Sequence, residues 1–152
     1  MAEVLVPDPG SFEPVAPERA AMWRNFGKWE QPLFPQLVGL QIEEIRLDYC
    51  RMRLPYRDEL NQPAGVVHGG AIATLADCAV MAAAWSAVDA GGSLRGVTVS
   101  LTLNYLETAR AEALVAHGRV VRRGRSLCTC EVDIEGADGR LVAKGLATYK
   151  VG

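Results

Sequence analysis

The feature that most limits how this chain can fold is the run from Gly69 to Val88, GGAIATLADCAVMAAAWSAV, in which Asp77 is the only charged residue. About 20 residues of this kind are long enough to cross a bilayer. The segment is rich in alanine and glycine rather than leucine, no basic residues flank it, and a mid-bilayer aspartate would be costly. A helix that is apolar all round and does not cross a membrane has to be surrounded by protein. The rest of the chain must therefore supply a wrapping for one long helix.

The wrapping reads as strands. From Leu40 to Pro55 the alternation shifts phase: Leu40 and Ile42 share one parity, Ile45 and Leu47 the other, and Cys50, Met52 and Leu54 return to the first. A bulge or tight hairpin near Glu43 and Asp48 accounts for this. RDELNQPAG then reads as an exposed loop, and DAGGSLRG after the helix as a flexible connection. Val97, Val99, Leu101, Leu103 and Tyr105 alternate with Thr98, Ser100, Thr102 and Asn104, as in a half-buried strand. Residues 113–122 make a second strand, turned at Arg123-Gly124. A third carries Cys128, Cys130, Val132 and Ile134 on one face, and Asp138-Gly139 is a hairpin turn into a last strand from Leu141 to Val151. The fold class expected is α+β, with an antiparallel sheet wrapped around one long central helix.

Ahead of this domain, residues 1–37 read as an N-terminal extension with a short amphipathic helix, and residues 38–152 as the domain itself. Pro17 suits a first helical position. Met22, Phe26 and Trp29 form one apolar stripe, in a helix ending before Pro32. The stripe fits packing on the main body, a lid over a channel, or a subunit contact.

Sixteen basic residues against 18 acidic ones leave a net charge of -2, which argues against nucleic acid as a partner. MAEVLVPDPG has neither the basic start nor the apolar run of a secretory signal. Cys50, Cys78, Cys128 and Cys130 show no C-x-x-C spacing and read as small buried hydrophobes in a reducing compartment. A cytoplasmic protein without a membrane partner is expected.

The chemistry concentrates in VVHGGAIATLAD. Gly69 and Gly70 open the helix, so their N–H groups are among those with no intrahelical partner, and the helix dipole adds positive potential there. Without a Cβ they let a carbonyl oxygen approach, and one such donor is typically worth about 3–4 kcal/mol in barrier. Asp77 is a carboxylate on an apolar helix, expensive unless hydrogen-bonded or facing a watery pocket. Gly69 and Asp77 stand eight positions apart, about 12 Å along a helix, so one chain cannot bring both to one carbon. Two antiparallel helices in a two-fold dimer can.

The string N-x(3)-G-V-V-H-G-G-A-I-A-T-L-A-D, followed by G-V-T-V-S-L-T-L-N-Y-L, resembles the phenylacetate-type (PaaI-like) hotdog thioesterases of the 4-hydroxybenzoyl-CoA thioesterase superfamily, over roughly residues 38–150. The resemblance implies a hotdog fold and hydrolysis of acyl-CoA to free acid and CoA, with no cofactor because CoA is part of the substrate. It also implies a homodimer or homotetramer with active sites shared between subunits.

Residue by residue, Gly69 matches the glycine whose N–H polarises the thioester carbonyl. Asp77 matches the nucleophile or general base. His68 and Asn61 match residues that orient thioester and water, and Thr98 a hydroxyl that helps to place the water. Asn61 stands seven positions before His68, where the family usually has six, and Thr98 shares the polar parity of its strand. Gly70 joins the substrate-binding turn. Arg123, Gly124, Arg125 and Ser126, next to Arg122, form a basic turn suited to CoA phosphates or simply to solvent. His117 reads as structural or exposed. Two other functions fit the same fold, a non-catalytic acyl-CoA-binding module and a dehydratase or hydratase. Asp77 favours the hydrolase over the first. The second resembles a different histidine–carboxylate motif, absent here.

Overall fold

The computed structural model describes residues 6–88 and 95–152. Most of the connection DAGGSLRG, which the sequence marks as flexible, lies outside the described residues. The elements run α1 (Pro17–Arg24), α2 (Phe34–Val38), β1 (Gln41–Arg46), β2 (Tyr49–Leu54), α3 (Gly69–Trp85), β3 (Val97–Tyr105), β4 (Leu114–Arg123), β5 (Leu127–Glu135) and β6 (Leu141–Lys150). The strands form one six-stranded sheet in the order β1-β2-β4-β5-β6-β3, antiparallel throughout.

Helix α3 packs against all six strands, so the sheet wraps it as the sequence predicts. Leu75, Ala76, Ala79, Val80, Ala82, Ala83 and Ala84 are fully buried. The small side chains let the sheet come close, and the closest approach is at Gly118 of β4. A Cβ built there would lie 2.7 Å from the carbonyl carbon and oxygen of Ala79. Cys50, Met52 and Leu54 of β2, Leu114 and Ala116 of β4, and Cys128, Cys130, Val132 and Ile134 of β5 complete the core. This is the hotdog arrangement. Among the described residues no helix is long and apolar enough to cross a membrane.

The phase shift in the first hairpin has two causes. A bulge falls at Glu43, between the pairs Ile42↔Met52 and Glu44↔Arg51, and Asp48 turns the chain with φ 63°. Tyr49, of opposite parity to Cys50, is covered instead by Phe12, whose ring stacks on it at 4.7 Å. Its hydroxyl lies 2.9 Å from Nδ1 of His117. His117 is thus structural, and burial holds its pKa below the ordinary histidine value.

The N-terminal helix differs from expectation. Pro17 does occupy the first turn, but α1 ends at Arg24, and Gly27 reverses the chain with φ 76°. Phe26 and Trp29 therefore lie beyond the helix, with their rings packed edge to face at 5.2 Å. A second short helix, α2, precedes the sheet and is closed by Gly39 in the left-handed region at φ 86°. Its signal was present in FPQLVG, with proline in the first turn and glycine just past the end.

Candidate active site

The chain enters α3 through a tight loop. Asn61 bridges Val67 in antiparallel fashion, and the His68 N–H donates to the Leu60 carbonyl at 2.7 Å. The loop thereby brings Asn61 beside the start of the helix, whatever its spacing from His68. Asn61 Nδ2 donates to the Tyr56 hydroxyl at 3.1 Å, while its buried Oδ1 has no protein partner among the described residues. An acceptor left open at this position suits a water or a ligand N–H.

His68 is the N-cap of α3, with extended backbone at φ -63° and ψ 134°. Its Nδ1 accepts from the Gly70 N–H at 2.9 Å. In the neutral ring the proton then sits on Nε2, which is a donor toward solvent. The same bond takes up Gly70: its N–H is engaged by His68, so it is not the open donor that the sequence suggested. Its missing Cβ makes room for the imidazole, since one built there would meet Nδ1 at 3.0 Å. The Gly69 N–H has no acceptor within the protein among the described residues. Tyr105 of β3, which the sequence showed only as a strand residue, fixes this glycine by donating to its carbonyl at 3.0 Å.

Asp77 lies on the one stripe of α3 that the chain leaves half-open, with Ala73, Thr74 and Met81. Thr98 Oγ1 donates to Asp77 Oδ1 at 2.6 Å. Strand alternation would have turned Thr98 to the polar face, but the pairing of β3 with β6 shifts register between Thr98 and Ser100. The bulge puts Thr98 on the same side as Leu101 and Leu103, which pack on the core. The hydroxyl expected to help place a water binds the carboxylate and leaves Oδ2 without a protein partner among the described residues.

The basic turn divides. Arg122, Gly124, Arg125 and Ser126 line a shallow groove with Leu127, Thr129 and Thr148. Arg123, read with these residues as a turn suited to CoA phosphates, does not line the groove. Its guanidinium pairs with Asp48 and donates to the Ala84 carbonyl at 2.9 Å. Arg19 of α1 donates to the Ser86 carbonyl at 2.6 Å. The last carbonyls of α3 are thus held by two cations where the helix dipole is negative.

The profile of the thioesterase superfamily matches residues 64–143, from the loop before His68 to the start of β6. Acyl-coenzyme A thioesterase 13 of Pongo abelii is 30% identical over 105 residues, covering 68% of this chain and 71% of that one. A conserved protein of Pseudomonas aeruginosa superposes with a TM-score of 0.73 at 29% identity, covering 80% of this chain and 95% of its own. The Escherichia coli PaaI protein, from the phenylacetic acid degradation operon, shares the fold with a TM-score of 0.76 at 18% identity, over 89% and 94%. A helix entered through His68-Gly69-Gly70, a carboxylate two turns further along, and the matched profile lead to one conclusion: the chain belongs to the thioesterase superfamily, whose members hydrolyse thioesters.

Proposed function

We propose that this protein is an acyl-CoA thioesterase acting in the cytoplasm as a homodimer or homotetramer, each active site combining the α3 entry of one subunit with Asp77 of another. The observation that carries the reading is the Thr98–Asp77 hydrogen bond on the half-open stripe of α3, which orients one carboxylate oxygen and leaves the other for chemistry. Four free, buried cysteines fit a reducing compartment.

The thioester carbonyl sits at the amino end of α3, where the Gly69 N–H meets the oxygen as it becomes negative. His68, through Nε2, and Asn61, through its open Oδ1, orient the thioester and the water. Asp77 of the facing subunit acts as general base or as nucleophile. As a base it takes one proton from water while the oxygen bonds to the carbonyl carbon. Collapse of the tetrahedral oxyanion breaks the C–S bond, and the carboxyl returns its proton to the departing CoA thiolate. As a nucleophile it forms an acyl anhydride that water then opens, with the same products. The chemistry asks for no metal or redox cofactor, and CoA enters as part of the substrate. The groove beside Arg122 and Arg125 suits the CoA phosphates.

Asp77→Asn tests the assignment. Turnover of an acyl-CoA panel, followed with a thiol reagent, should fall by about 10²-fold or more with circular dichroism and molecular mass unchanged. Turnover near that of the wild type would overturn it.

A further inference from the structure

An apolar pocket of about 450 Å³ lies between the N-terminal segment and the half-open stripe of α3 that carries Asp77 and Met81. Met22, Phe26 and Trp29 form its outer wall, and Met81, Trp85 and Tyr149 its floor. Its size falls in the range of small-ligand sites, and so does its mainly apolar lining. All three tryptophans of the chain face it.

The pocket is in line with the chemistry. Asp77, Met81 and Trp85 follow one another at four-residue steps on α3, so the floor begins about 6 Å beyond the carboxylate and continues for another 6 Å. The far side is tied to the same centre, since Thr98, which holds Asp77, is paired directly with Tyr149. Tyr149 in turn accepts from the Trp85 indole N–H at 2.9 Å, which removes the one polar group of each ring from the pocket surface. The floor that remains is aromatic and thioether, with Asn25 and Lys28 as the polar side chains among the lining residues. Methionines adapt to irregular apolar shapes, and aromatic edges and faces suit both rings and chains.

The wall comes from a part of the chain that precedes residue 64, where the superfamily profile begins. The early end of α1 also acquires a purpose here. A helix continued through Gly27 would keep Phe26 and Trp29 on one straight stripe, whereas the reversal at Gly27 folds them over the floor.

We infer that residues 17–35 are the acyl-selecting element of this enzyme: Met22, Phe26 and Trp29 clasp an uncharged apolar acyl group, medium-chain aliphatic or aryl, against Met81, Trp85 and Tyr149. The inference rests on the thioesterase reading above. Acetyl-CoA is too short to reach the clasp.

The test compares acetyl-, octanoyl- and phenylacetyl-CoA on the wild type, Phe26→Ala and Trp29→Ala. The wild type should prefer at least one of the two longer substrates to acetyl-CoA, and which one decides between chain and ring. Each variant should lower the ratio of kcat/KM for the preferred substrate to that for acetyl-CoA about ten-fold or more. Wild-type preference for acetyl-CoA, or folded variants with unchanged selectivity, would overturn the inference.

A second measurement needs no turnover. Non-hydrolysable S-octyl-CoA should shift the intrinsic tryptophan fluorescence of the wild type, and free CoA should not. If no acyl-CoA is hydrolysed, the thioesterase reading fails, and titration with octanoate and phenylacetate still judges the pocket. Absence of any fluorescence change with either acid would overturn the clasp itself.

Discussion

At the scale of single residues, polar groups near the site differ by what already holds them. Arg123 and Arg125 are two positions apart in one exposed turn, yet the first is tied to Asp48 and the Ala84 carbonyl and the second lines the groove. Arg125→Glu should raise KM for acyl-CoA several-fold and leave KM for a pantetheine thioester unchanged. Arg123→Ala should instead lower stability by about 1–2 kcal/mol in urea unfolding, from the lost carbonyl and carboxylate bonds, without that selective effect on KM. A selective KM effect from Arg123→Ala at unchanged stability would reverse these roles. The sequence shows a run of arginines, but the partner that claims one of them sits in a turn 75 positions earlier. The placement of Asp77, Gly69 and His68 on one helix was legible because it depends on local order along the chain. The inward turn of Thr98 was not, since its strand alternates cleanly by residue type and the bulge exists only in the pairing with β6.

At the scale of elements, the strands were readable because a period of two is a local property. What the alternation could not show is how closely an element may approach its neighbour. Gly118 sits in an ordinary-looking strand, yet a Cβ there would press on the backbone of Ala79, which cannot swing aside as a flexible side chain could. Gly118→Ala should therefore destabilise the fold by about 1–3 kcal/mol, although alanine suits a strand no worse than glycine. An unchanged urea midpoint would show that α3 shifts freely on the sheet. The end of α1 was misjudged for a related reason. Met22, Phe26 and Trp29 converge on one pocket, and a convergent set looks like a helical stripe whether or not the chain between its members is helical.

At the scale of the whole molecule, α3 runs unbroken from Gly69 to Trp85, so the separation of about 12 Å between donor and carboxylate stands. The edges of the sheet differ as well. β1 is lined with Glu43, Glu44 and Arg46 in ion pairs, whereas β3 ends the sheet with Val97 and Val99 exposed. An edge of the second kind suits pairing with another copy. Asp77→Ala and Gly69→Pro should each be inactive, and the backbone of His68 is already the extended form that precedes proline. Co-refolded in equal amounts, they should recover up to about a quarter of wild-type activity. Half of the dimers are then mixed, and each holds one intact site. Recovery of nothing, with both variants folded and mixed dimers shown by mass, would mean that the site is built within one chain.

The strand order also bears on how the molecule assembles in time. β4, β5 and β6 follow one another and pair as a meander, so short loops suffice to bring them together. β3 precedes them in the chain but lies beyond β6, at the far edge. It has no strand to join until the meander is complete, and closing that longer loop costs more chain entropy. The strand that offers the free edge, and that carries Thr98 to Asp77, thus depends on β6 for its place. The Thr98 bond to Asp77 and the exposed edge of β3 therefore arise together, and a chain still being synthesised should present neither before β6 has formed.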